Sequence, residues 1–280
     1  MSDAPELRGT LLEGRWRLES PLGRGGMGEV WRARDEASGE PVAVKVLHGR
    51  LSSDPELLAR FAREIETGRR VTHDNAVHVL AGGRLGDGRP WLVMDFLVGR
   101  PLAGLLHERG PLPWRVAVDV GRQVAAGLGA AHAVGVVHRD LKPENVMVSV
   151  DPDGRWRVKV FDFGLSSLEG SGGLTAADVR LGTPTHMSPE YVTRGLSGPA
   201  GDFYALGVVL YEALCGAVPF EGRGYQILQA HVSRRPPPLG ERCDAPAAVC
   251  AAVHALLRKD PEARPSTPAA LEAWLAPTDA

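Results

Sequence analysis

The chain has 280 residues, 44% of them hydrophobic and 24% charged, which is the composition of a globular protein rather than of a disordered one. Its 32 basic and 34 acidic side chains give a formal net charge of −2, so there is no basic excess to neutralise a nucleic-acid backbone, and no nucleic-acid partner is expected. The three cysteines, Cys215, Cys243 and Cys250, form no disulfide framework and lack metal-ligand spacing, which favours a reducing cytoplasm.

No part of the sequence has the pattern of a signal peptide or a membrane span. The N-terminus is polar, with Asp3, Glu6 and Arg8, and has no apolar stretch behind these residues. The most apolar segment, residues 204–220, is interrupted by Glu212 and is too short to cross a bilayer. We therefore expect this segment to be a buried helix and the protein to be cytoplasmic.

The first ninety or so residues are predicted to form five strands and one helix. Strands at 16–24, 29–35 and 41–48 are separated by turns rich in glycine or serine. Asp54-Pro55-Glu56 indicates the start of a helix that runs to about Arg70. Two more strands, 77–82 and 91–96, are joined through Asp87-Gly88, a hairpin signal.

After Gly99 the hydrophobic pattern changes to helical periods. Helices are predicted at 102–108, 114–134, 202–215, 224–232, 247–257 and 268–275, and a hairpin at 146–150 and 156–161 interrupts them. The sequence therefore predicts an α+β fold in a single domain over residues 1–280. A small antiparallel lobe is expected at about 14–97, a hinge near 94–99, and a larger, mainly helical lobe at about 100–276.

A glycine-rich string that fits Gly-x-Gly-x-x-Gly-x-Val lies between the first two predicted strands. It consists of Gly23, Arg24, Gly25, Gly26, Met27, Gly28, Glu29 and Val30, directly after Leu22. A dinucleotide-binding fold uses a similar pattern, but it needs a helix that begins inside the glycines and an acidic residue about 20 positions further on. Here a strand follows, then a Ser-Gly turn and the strand that contains Lys45. This order argues against the dinucleotide-binding fold, and the glycines would let the backbone lie close over phosphate groups.

Eight residues near the middle of the chain combine a carboxylate, a cation and an amide in one loop. The loop, His138-Arg139-Asp140-Leu141-Lys142-Pro143-Glu144-Asn145, lies between a predicted helix and a short apolar strand, where a catalytic loop on a rigid scaffold belongs. Asp162-Phe163-Gly164 follows the hairpin, 22 residues after Asp140. With the glycine-rich string, these motifs resemble those of protein kinases. From Leu22 to about Arg264 the chain resembles the bacterial eukaryotic-like serine/threonine protein kinases.

The resemblance implies a catalytic role for four residues. Asp140 is expected to accept the proton of the substrate hydroxyl, and Lys142 to neutralise charge on the transferring γ-phosphoryl group. Lys45 is expected to hold the α- and β-phosphates of ATP and to pair with Glu64. Glu56 and Glu66 remain alternatives for that partner.

The resemblance also implies ATP and Mg²⁺ as cofactors. Asn145 and Asp162 are the expected ligands of Mg²⁺, which favours hard oxygen donors together with phosphate. Met94 is expected to flank the adenine, and backbone groups of Asp95 and Leu97 to bond to its edge. The other expected ATP contacts are Leu22, Gly23, Arg24, Gly25, Gly26, Met27, Gly28, Glu29, Val30, Ala43, Lys45 and Met147.

Further motifs resemble the activation segment and its supports. Gly182-Thr183-Pro184 and Ser188-Pro189-Glu190 correspond to the end of that segment. By the same resemblance, Asp202 is expected to anchor the backbone of the catalytic loop and Arg264 to form a buried ion pair with Glu190. Thr175 and Ser171 are the candidate phosphorylation sites, because they lie in a glycine-rich stretch that could reach another molecule's active site.

Three positions depart from the family pattern. Ser188 replaces the usual alanine, and His186 stands where a tyrosine is common. Gly68 stands where a larger apolar side chain usually packs, one turn after Glu64. A glycine inside a helix costs about 1 kcal/mol relative to alanine, so we expect that helix to swing outward more readily.

The sequence thus predicts an enzyme that transfers the γ-phosphate of ATP to serine or threonine of protein substrates. A transient homodimer is expected for autophosphorylation in trans. The alternative is a pseudokinase scaffold, but Lys45, Asp140 and Asp162 are all intact. Small-molecule kinases generally lack the Lys-Pro-Glu-Asn run and the activation segment.

Overall fold

In this computed structural model of the protein, the described residues are 7–26, 28–49, 55–163 and 184–275. The chain divides into two compact units. Unit 1 comprises residues 1–72 and 77–97, and unit 2 comprises residues 73–76 and 98–280.

The described residues of unit 1 form one antiparallel sheet and one helix. The strands are β1 (Leu11–Leu12), β2 (Trp16–Arg24), β3 (Gly28–Asp35), β4 (Pro41–Leu47), β5 (Val79–Arg84) and β6 (Pro90–Asp95), in the order β1-β2-β3-β4-β6-β5. The predicted count of five strands is therefore wrong by one, because β1 was not foreseen. A two-residue strand has no alternation for a sequence pattern to reveal.

The core of unit 1 lies on one face of this sheet. Alternate residues of the strands, Leu18, Ala33, Val44 and Val93 among them, are almost fully buried there, as the period of two along a strand requires. Trp16 and Trp91 pack in the same cluster with ring centroids 5.8 Å apart.

The helix of unit 1, α1 (Pro55–Gly68), buries Leu58 and Phe61. It ends two residues earlier than predicted, so Gly68 is its last residue and not an interior one. The interior-glycine penalty therefore does not apply in full. A Cβ at Gly68 would lie 3.4 Å from Cγ2 of Val79, which is ordinary van der Waals contact.

Unit 2 contains most of the helices. They are α2 (Leu102–Arg109), α3 (Trp114–Ala133), α4 (Pro189–Arg194), α5 (Pro199–Cys215), α6 (Gly224–Ser233), α7 (Ala247–Leu256) and α8 (Pro268–Leu275). A small sheet has the order β7-β8-β9, from β7 (Arg100–Pro101), β8 (Val146–Val150) and β9 (Trp156–Val160). Strand β7 and helix α4 were not predicted. Strand β7 is too short for a pattern, whereas α4 has an N-cap serine, Ser188, that accepts a hydrogen bond from the N–H of Tyr191.

Helix α5 is the centre of unit 2. Twelve of its residues are buried, including Phe203, Tyr204 and Tyr211, which confirms the prediction of a buried helix. It begins three residues before the predicted start because Pro199 occupies its first turn, where the missing N–H costs nothing. Within the described part of the chain, no helix combines the length and apolarity needed to cross a membrane.

Candidate active site

The loop of residues 138–145 is held by one buried carboxylate in α5. Asp202 Oδ2 accepts the N–H of His138 at 2.8 Å, and Oδ1 accepts the N–H of Arg139 at 2.8 Å. Nε2 of His132, in the last turn of α3, lies 2.7 Å from Asp202 Oδ2. Since Asp202 is only 2% exposed, these bonds fix the loop backbone to the core of unit 2. The expectation that Asp202 anchors the backbone of the loop is confirmed.

His138 ties the same loop to the end of β9. Its side chain is fully buried, with Nε2 2.9 Å from the carbonyl oxygen of Phe161. Nδ1 accepts the N–H of Asp140 at 3.3 Å, so the proton is assigned to Nε2. The His138 ring also packs 4.9 Å from the ring of Phe163, centroid to centroid. Because both nitrogens bond within the fold, His138 positions the loop.

The loop brings together Asp140, Lys142 and Asn145. Lys142 Nζ donates to Asp140 Oδ2 at 2.7 Å, and Asn145 Nδ2 donates to Oδ2 at 3.3 Å and to the Asp140 carbonyl at 2.8 Å. Among the described residues, the side-chain hydrogen bonds to this carboxylate go to Oδ2 and not to Oδ1. The Asp140 side chain is 44% exposed, whereas Asn145 is buried.

Asp162, the second expected metal ligand, lies next to the same loop. Strands β8 and β9 pair with Val146 opposite Val160, and Phe161 N–H donates to the carbonyl of Asn145 at 3.1 Å. Asp162 has φ 64°, and Arg139 has φ 70°. Left-handed conformations at residues other than glycine cost free energy, and they cluster at functional sites.

In unit 1, Lys45 lies in the central strand β4. Its neighbours in register are Val30 on β3 and Leu92 on β6. Residues from Val42 to Leu47 are all buried, and Lys45 itself is only 7% exposed. Val42, Val44 and Val46 belong to the core cluster of unit 1, so Lys45 lies on the opposite face of the strand. A buried ammonium group must be compensated by an anion. Glu64 lies in α1 of the same unit, and its pairing with Lys45 stays a prediction.

The glycine-rich turn joins β2 to β3 in unit 1. Gly25 N–H donates to the carbonyl of Gly28 at 2.8 Å, and Arg24 Nη2 lies 2.7 Å from Glu29 Oε1. A Cβ at Gly28 would lie 2.1 Å from the carbonyl oxygen of Val46, so the packing of the sheet requires this glycine.

The packing of the fold does not require glycine at the other described glycine positions of the turn. A Cβ at Gly23, Gly25 or Gly26 would meet no described atom within 4 Å, and none of the three has positive φ. Their small size is therefore consistent with the approach of a ligand. Met27 lies outside the described residues, as do Gly164, Ser171, Thr175, Gly182 and Thr183.

The expected adenine contacts lie on β4 and β6 of unit 1. Ala43 pairs with Met94 in register, and both are buried. The N–H of Asp95 donates to the carbonyl of His78 at 3.1 Å, so this N–H is not available to a ligand. Leu97 follows β6 and is half-buried. Met147, the remaining expected contact, lies on β8 of unit 2.

A buried ion pair supports α4 in unit 2. Arg264 Nη1 and Nη2 lie 2.7 and 2.8 Å from the two carboxylate oxygens of Glu190. The guanidinium also donates to the carbonyls of Ala200, Arg258 and Lys259. Burial raises the pKa of Glu190, but the hydrogen bonds from Arg264 lower it, and the net shift is downward. The predicted pair is confirmed.

The model of the protein kinase domain family matches residues 16–275. This chain belongs to the protein kinase family. The kinase domain is 39% identical to the serine/threonine-protein kinase PknA of Mycobacterium tuberculosis (strain H37Rv) over 261 residues, which cover 91% of this chain and 59% of PknA. It is 36% identical to the serine/threonine-protein kinase pkn3 of Myxococcus xanthus in an alignment 286 residues long, which covers 99% of this chain and 52% of pkn3. The chain thus spans little more than half the length of these relatives.

Solved kinase structures share the fold. The kinase domain of Mycobacterium tuberculosis PknI has a TM-score of 0.75 at 25% identity, with 97% of this chain and 99% of that chain covered. Rad53 1–466 in complex with AMP-PNP has a TM-score of 0.72 at 25% identity, with 92% and 64% covered. The predicted assignment to bacterial serine/threonine kinases, and the predicted α+β kinase fold, are confirmed. Kinases of this family use ATP with Mg²⁺.

Two residues of the kinase domain that make structural contacts, His132 and Asn75, were missed by sequence reasoning. His132 lies six residues before His138, and only the fold brings it to Asp202. Asn75, from the short segment of unit 2 at 73–76, donates to Gln123 Oε1 at 3.1 Å and to the Val158 carbonyl at 2.8 Å. Nothing in the local sequence of either residue signals these contacts, because the partners are 70, 48 and 83 positions away.

Proposed function

We propose that this kinase domain transfers the γ-phosphoryl group of Mg²⁺-bound ATP to serine and threonine hydroxyls of protein substrates. The observation that carries the proposal is the loop held by Asp202, which presents the exposed Asp140 carboxylate beside Lys142 and Asn145. We also propose that residues 1–280 form one kinase domain, with lobes at about 14–97 and 100–276 and a hinge near 94–99. The family match over residues 16–275 supports this extent.

Asp140 acts as the base in this proposal. Its Oδ2 is bonded to Lys142 and Asn145, so Oδ1 accepts the proton of the substrate hydroxyl as the oxygen attacks the γ-phosphorus. The bond from the γ-phosphorus to the bridging β,γ-oxygen breaks in the same step, and ADP leaves. Lys142 stabilises negative charge on the transferring group. Little covalent help is needed, so alignment and electrostatic stabilisation supply most of the rate enhancement.

Asn145 and Asp162 are the proposed ligands of Mg²⁺. The donor set fits the ion, since Asn145 commits Nδ2 to Asp140 and thereby leaves its hard amide oxygen as the available donor. When bound, Mg²⁺ neutralises charge on the phosphate oxygens of ATP. In unit 1, Lys45 holds the α- and β-phosphates under the glycine-rich turn, and Glu64 orients Lys45.

The adenine end of ATP is assigned to the residues expected from the family pattern. Leu22, Val30, Ala43, Met94 and Met147 would contact the base, with the carbonyl of Asp95 and the backbone of Leu97 at its edge. The N–H of Asp95 is bonded to His78, which supports its carbonyl as the participating group.

Transfer is tested by incubating the purified chain with labelled ATP, Mg²⁺ and a mixture of protein acceptors, and by locating phosphosites with mass spectrometry. We expect phosphoserine and phosphothreonine, and far less of both with the Asp140→Asn variant. Nucleotide binding without transfer to any acceptor, or to the chain itself, would instead favour the scaffold alternative.

A further inference from the structure

The three cysteines of the chain come together in unit 2, although their spacing in the sequence does not suggest it. Cys215 is the last residue of α5, Cys243 lies between α6 and α7, and Cys250 lies in the first turn of α7. All three are free thiols, and Cys250 belongs to the core cluster against which the other two pack. None of them is among the residues proposed for ATP, metal or catalysis.

The fold directs the Cys250 thiol toward Cys243. Side chains in a helix point toward its N-terminus, and Sγ of Cys250 lies 3.6 Å from the carbonyl oxygen of Ala245, two residues after Cys243. Sγ of Cys243 lies 3.4 Å from the carbonyl oxygen of Leu239. Burial raises the pKa of the Cys250 thiol, and the neighbouring Cys243 thiol, which is hydrogen-bonded to it, raises this pKa further. The two thiols are therefore in contact.

The segment that contains Cys243 is fixed to the helices on both sides of it. The hydroxyl of Tyr211, in α5, donates to the carbonyl of Pro237 at 3.2 Å. The N–H of Leu239 donates to Nε2 of His254, in α7, at 3.1 Å. These contacts hold the segment against the core of unit 2, so the folded chain keeps the two thiols together.

The thiols differ in their access to solvent. Cys243 is half-buried, whereas Cys250 is only 8% exposed, so a dissolved oxidant reaches Cys243 first. Cys215 is half-buried as well, and its Sγ donates to the carbonyl of Ala217 at 3.3 Å. Burial raises the pKa of the Cys215 thiol, and the Arg242 cation opposes this shift. Because its sulfur is directed to Ala217, Cys215 is the less suitable partner for Cys243.

We propose that Cys243 and Cys250 form a reversible disulfide when the protein is exposed to hydrogen peroxide. The Cys243 thiolate attacks one peroxide oxygen, the O–O bond breaks, and the departing hydroxide and the proton of the thiol form water. The sulfur of Cys250 then attacks the resulting sulfenic acid. The S–O bond breaks, and hydroxide leaves with the Cys250 proton as a second water. The two thiols lose two electrons and two protons, and the peroxide is reduced to two waters.

The disulfide protects Cys243 from further oxidation. A sulfenic acid without a neighbouring thiol is oxidised to sulfinic acid, which thiols do not reduce. The disulfide, in contrast, is returned to two thiols by exchange with a reducing dithiol, which is itself oxidised. A pair of this kind is compatible with a reducing compartment, where disulfides are usually transient.

Disulfide formation is tested by treating the purified, reduced chain with hydrogen peroxide, alkylating the remaining thiols and analysing a tryptic digest by mass spectrometry. The peptide 243–258 follows Arg242, ends at Arg258 and contains both Cys243 and Cys250. We expect this peptide to become two hydrogen atoms lighter and to escape alkylation. Dithiothreitol should restore its mass and its alkylation.

Serine variants separate the roles of the three thiols. Cys250→Ser should trap the sulfenic acid at Cys243 as a dimedone adduct and, without dimedone, should accumulate sulfinic acid there. Cys243→Ser should leave Cys250 reduced at the same dose of peroxide. Cys215→Ser is the matched control and should form the disulfide at the rate of the wild type. Thermal unfolding verifies that each reduced variant is folded.

Three results would overturn the proposal. The first is complete alkylation of the wild-type peptide 243–258 at doses of peroxide that already oxidise the methionines of the chain. The second is a disulfide that joins this peptide to the peptide 195–223, which contains Cys215. The third is equal oxidation of Cys250 in the wild type and in Cys243→Ser. All three concern the thiols alone, so they leave the proposed phosphoryl transfer untouched.

Discussion

Asp202 is the residue on which the geometry of the catalytic loop depends. Its carboxylate accepts the N–H groups of His138 and Arg139 and contacts His132. These bonds hold Arg139 at a positive φ, a conformation that the loop would not keep without them. The cost of that conformation is offset by charge-assisted hydrogen bonds in a buried site. The adjacent Asp140 is thereby held where its carboxylate faces solvent.

Asp140→Asn should abolish most phosphoryl transfer and leave ATP binding nearly intact. The amide cannot accept the substrate proton, and loss of a general base typically lowers the rate by about 10²–10⁴-fold. Steady-state kinetics with Mg²⁺-ATP and calorimetric titration with nucleotide would measure both quantities. A variant with wild-type turnover would show that Asp140 is not the base.

Lys45→Met should impair turnover more than Glu64→Gln does. Lys45 is proposed to contact the phosphates directly, whereas Glu64 acts through Lys45. Both variants are compared in the same kinetic assay. Glu66→Gln is the control, since Glu66 is the alternative partner of Lys45 on α1 but is exposed, and its turnover should change little. Small and equal effects of Lys45→Met and Glu64→Gln would contradict the pairing.

At the scale of single elements, α4 depends on a long-range contact. The helix has only six residues, too few to be stable by itself. The bidentate pair of Glu190 and Arg264 fixes it to the core of unit 2, and the Arg264 guanidinium bonds three carbonyls as well.

Glu190→Ala should lower the free energy of unfolding by about 3–5 kcal/mol, because it leaves a buried guanidinium without its partner. Urea unfolding of the full chain would measure the loss. Glu272→Ala is the matched control. It removes an exposed pair in which Arg122 Nε lies 2.9 Å from Glu272 Oε1, and such pairs contribute about 0–1 kcal/mol. Equal effects of the two substitutions would argue against the structural role of Glu190.

The same pair should make stability depend on acidic pH. The pKa of Glu190 is lowered in the fold relative to its ordinary value of 4.5. Its contribution is therefore present above pH 4.5 and is lost as the pH falls from there through the folded-state pKa. Urea midpoints measured from pH 6 downward should fall more steeply below about pH 4.5 for the wild type than for Glu190→Gln. Parallel curves would exclude this contribution.

Most of these elements could be predicted from the sequence, and the exceptions have physical reasons. Five strands of unit 1 and the buried helix α5 follow from periodicity and turn residues. Strands β1 and β7 have two residues each, so only their pairing reveals them. The helix α4 was missed although Ser188, Pro189 and Gly195 mark its ends. The premise that Gly68 lies inside α1 was wrong, because the helix ends at that residue, and the expected weakening of α1 stays a prediction.

The residues of the candidate site could be predicted from the sequence more readily than the contacts that hold those residues in place. Asp140, Lys142 and Asn145 are adjacent in sequence, so a single motif placed them together. The contacts of Asp202 with His132 and of Asn75 with Val158 depend on the packing of distant segments, and no local pattern contains that information. The roles of the ATP and metal residues stay predictions.

At the scale of the whole molecule, each unit contributes different groups to the proposed reaction. Unit 1 contains the glycine-rich turn, Lys45 and Glu64, and unit 2 contains the catalytic loop and Asp162. We predict that activity is regulated by phosphorylation of the segment following Asp162, which lies outside the described residues. In kinases an arginine placed like Arg139 commonly pairs with a phosphorylated residue of that segment.

Phosphorylation in trans of Thr175, the better candidate, or of Ser171 should activate the kinase. Both residues lie outside the described part of the chain, in a sequence rich in glycine. A phosphate adds about −1.5 to −2 charges and orders a segment through one to three charge-assisted bonds with arginine. Phosphatase-treated protein should therefore be slow at first, with a lag that shortens as enzyme concentration rises, since a second molecule must phosphorylate the first. Mass spectrometry during the lag should show phosphate appearing at these sites.

Thr175→Ala/Ser171→Ala should stay slow, whereas the control Ser233→Ala, at an exposed residue of α6, should behave like the wild type. Full activity of the double variant without a lag would rule out this activation mechanism.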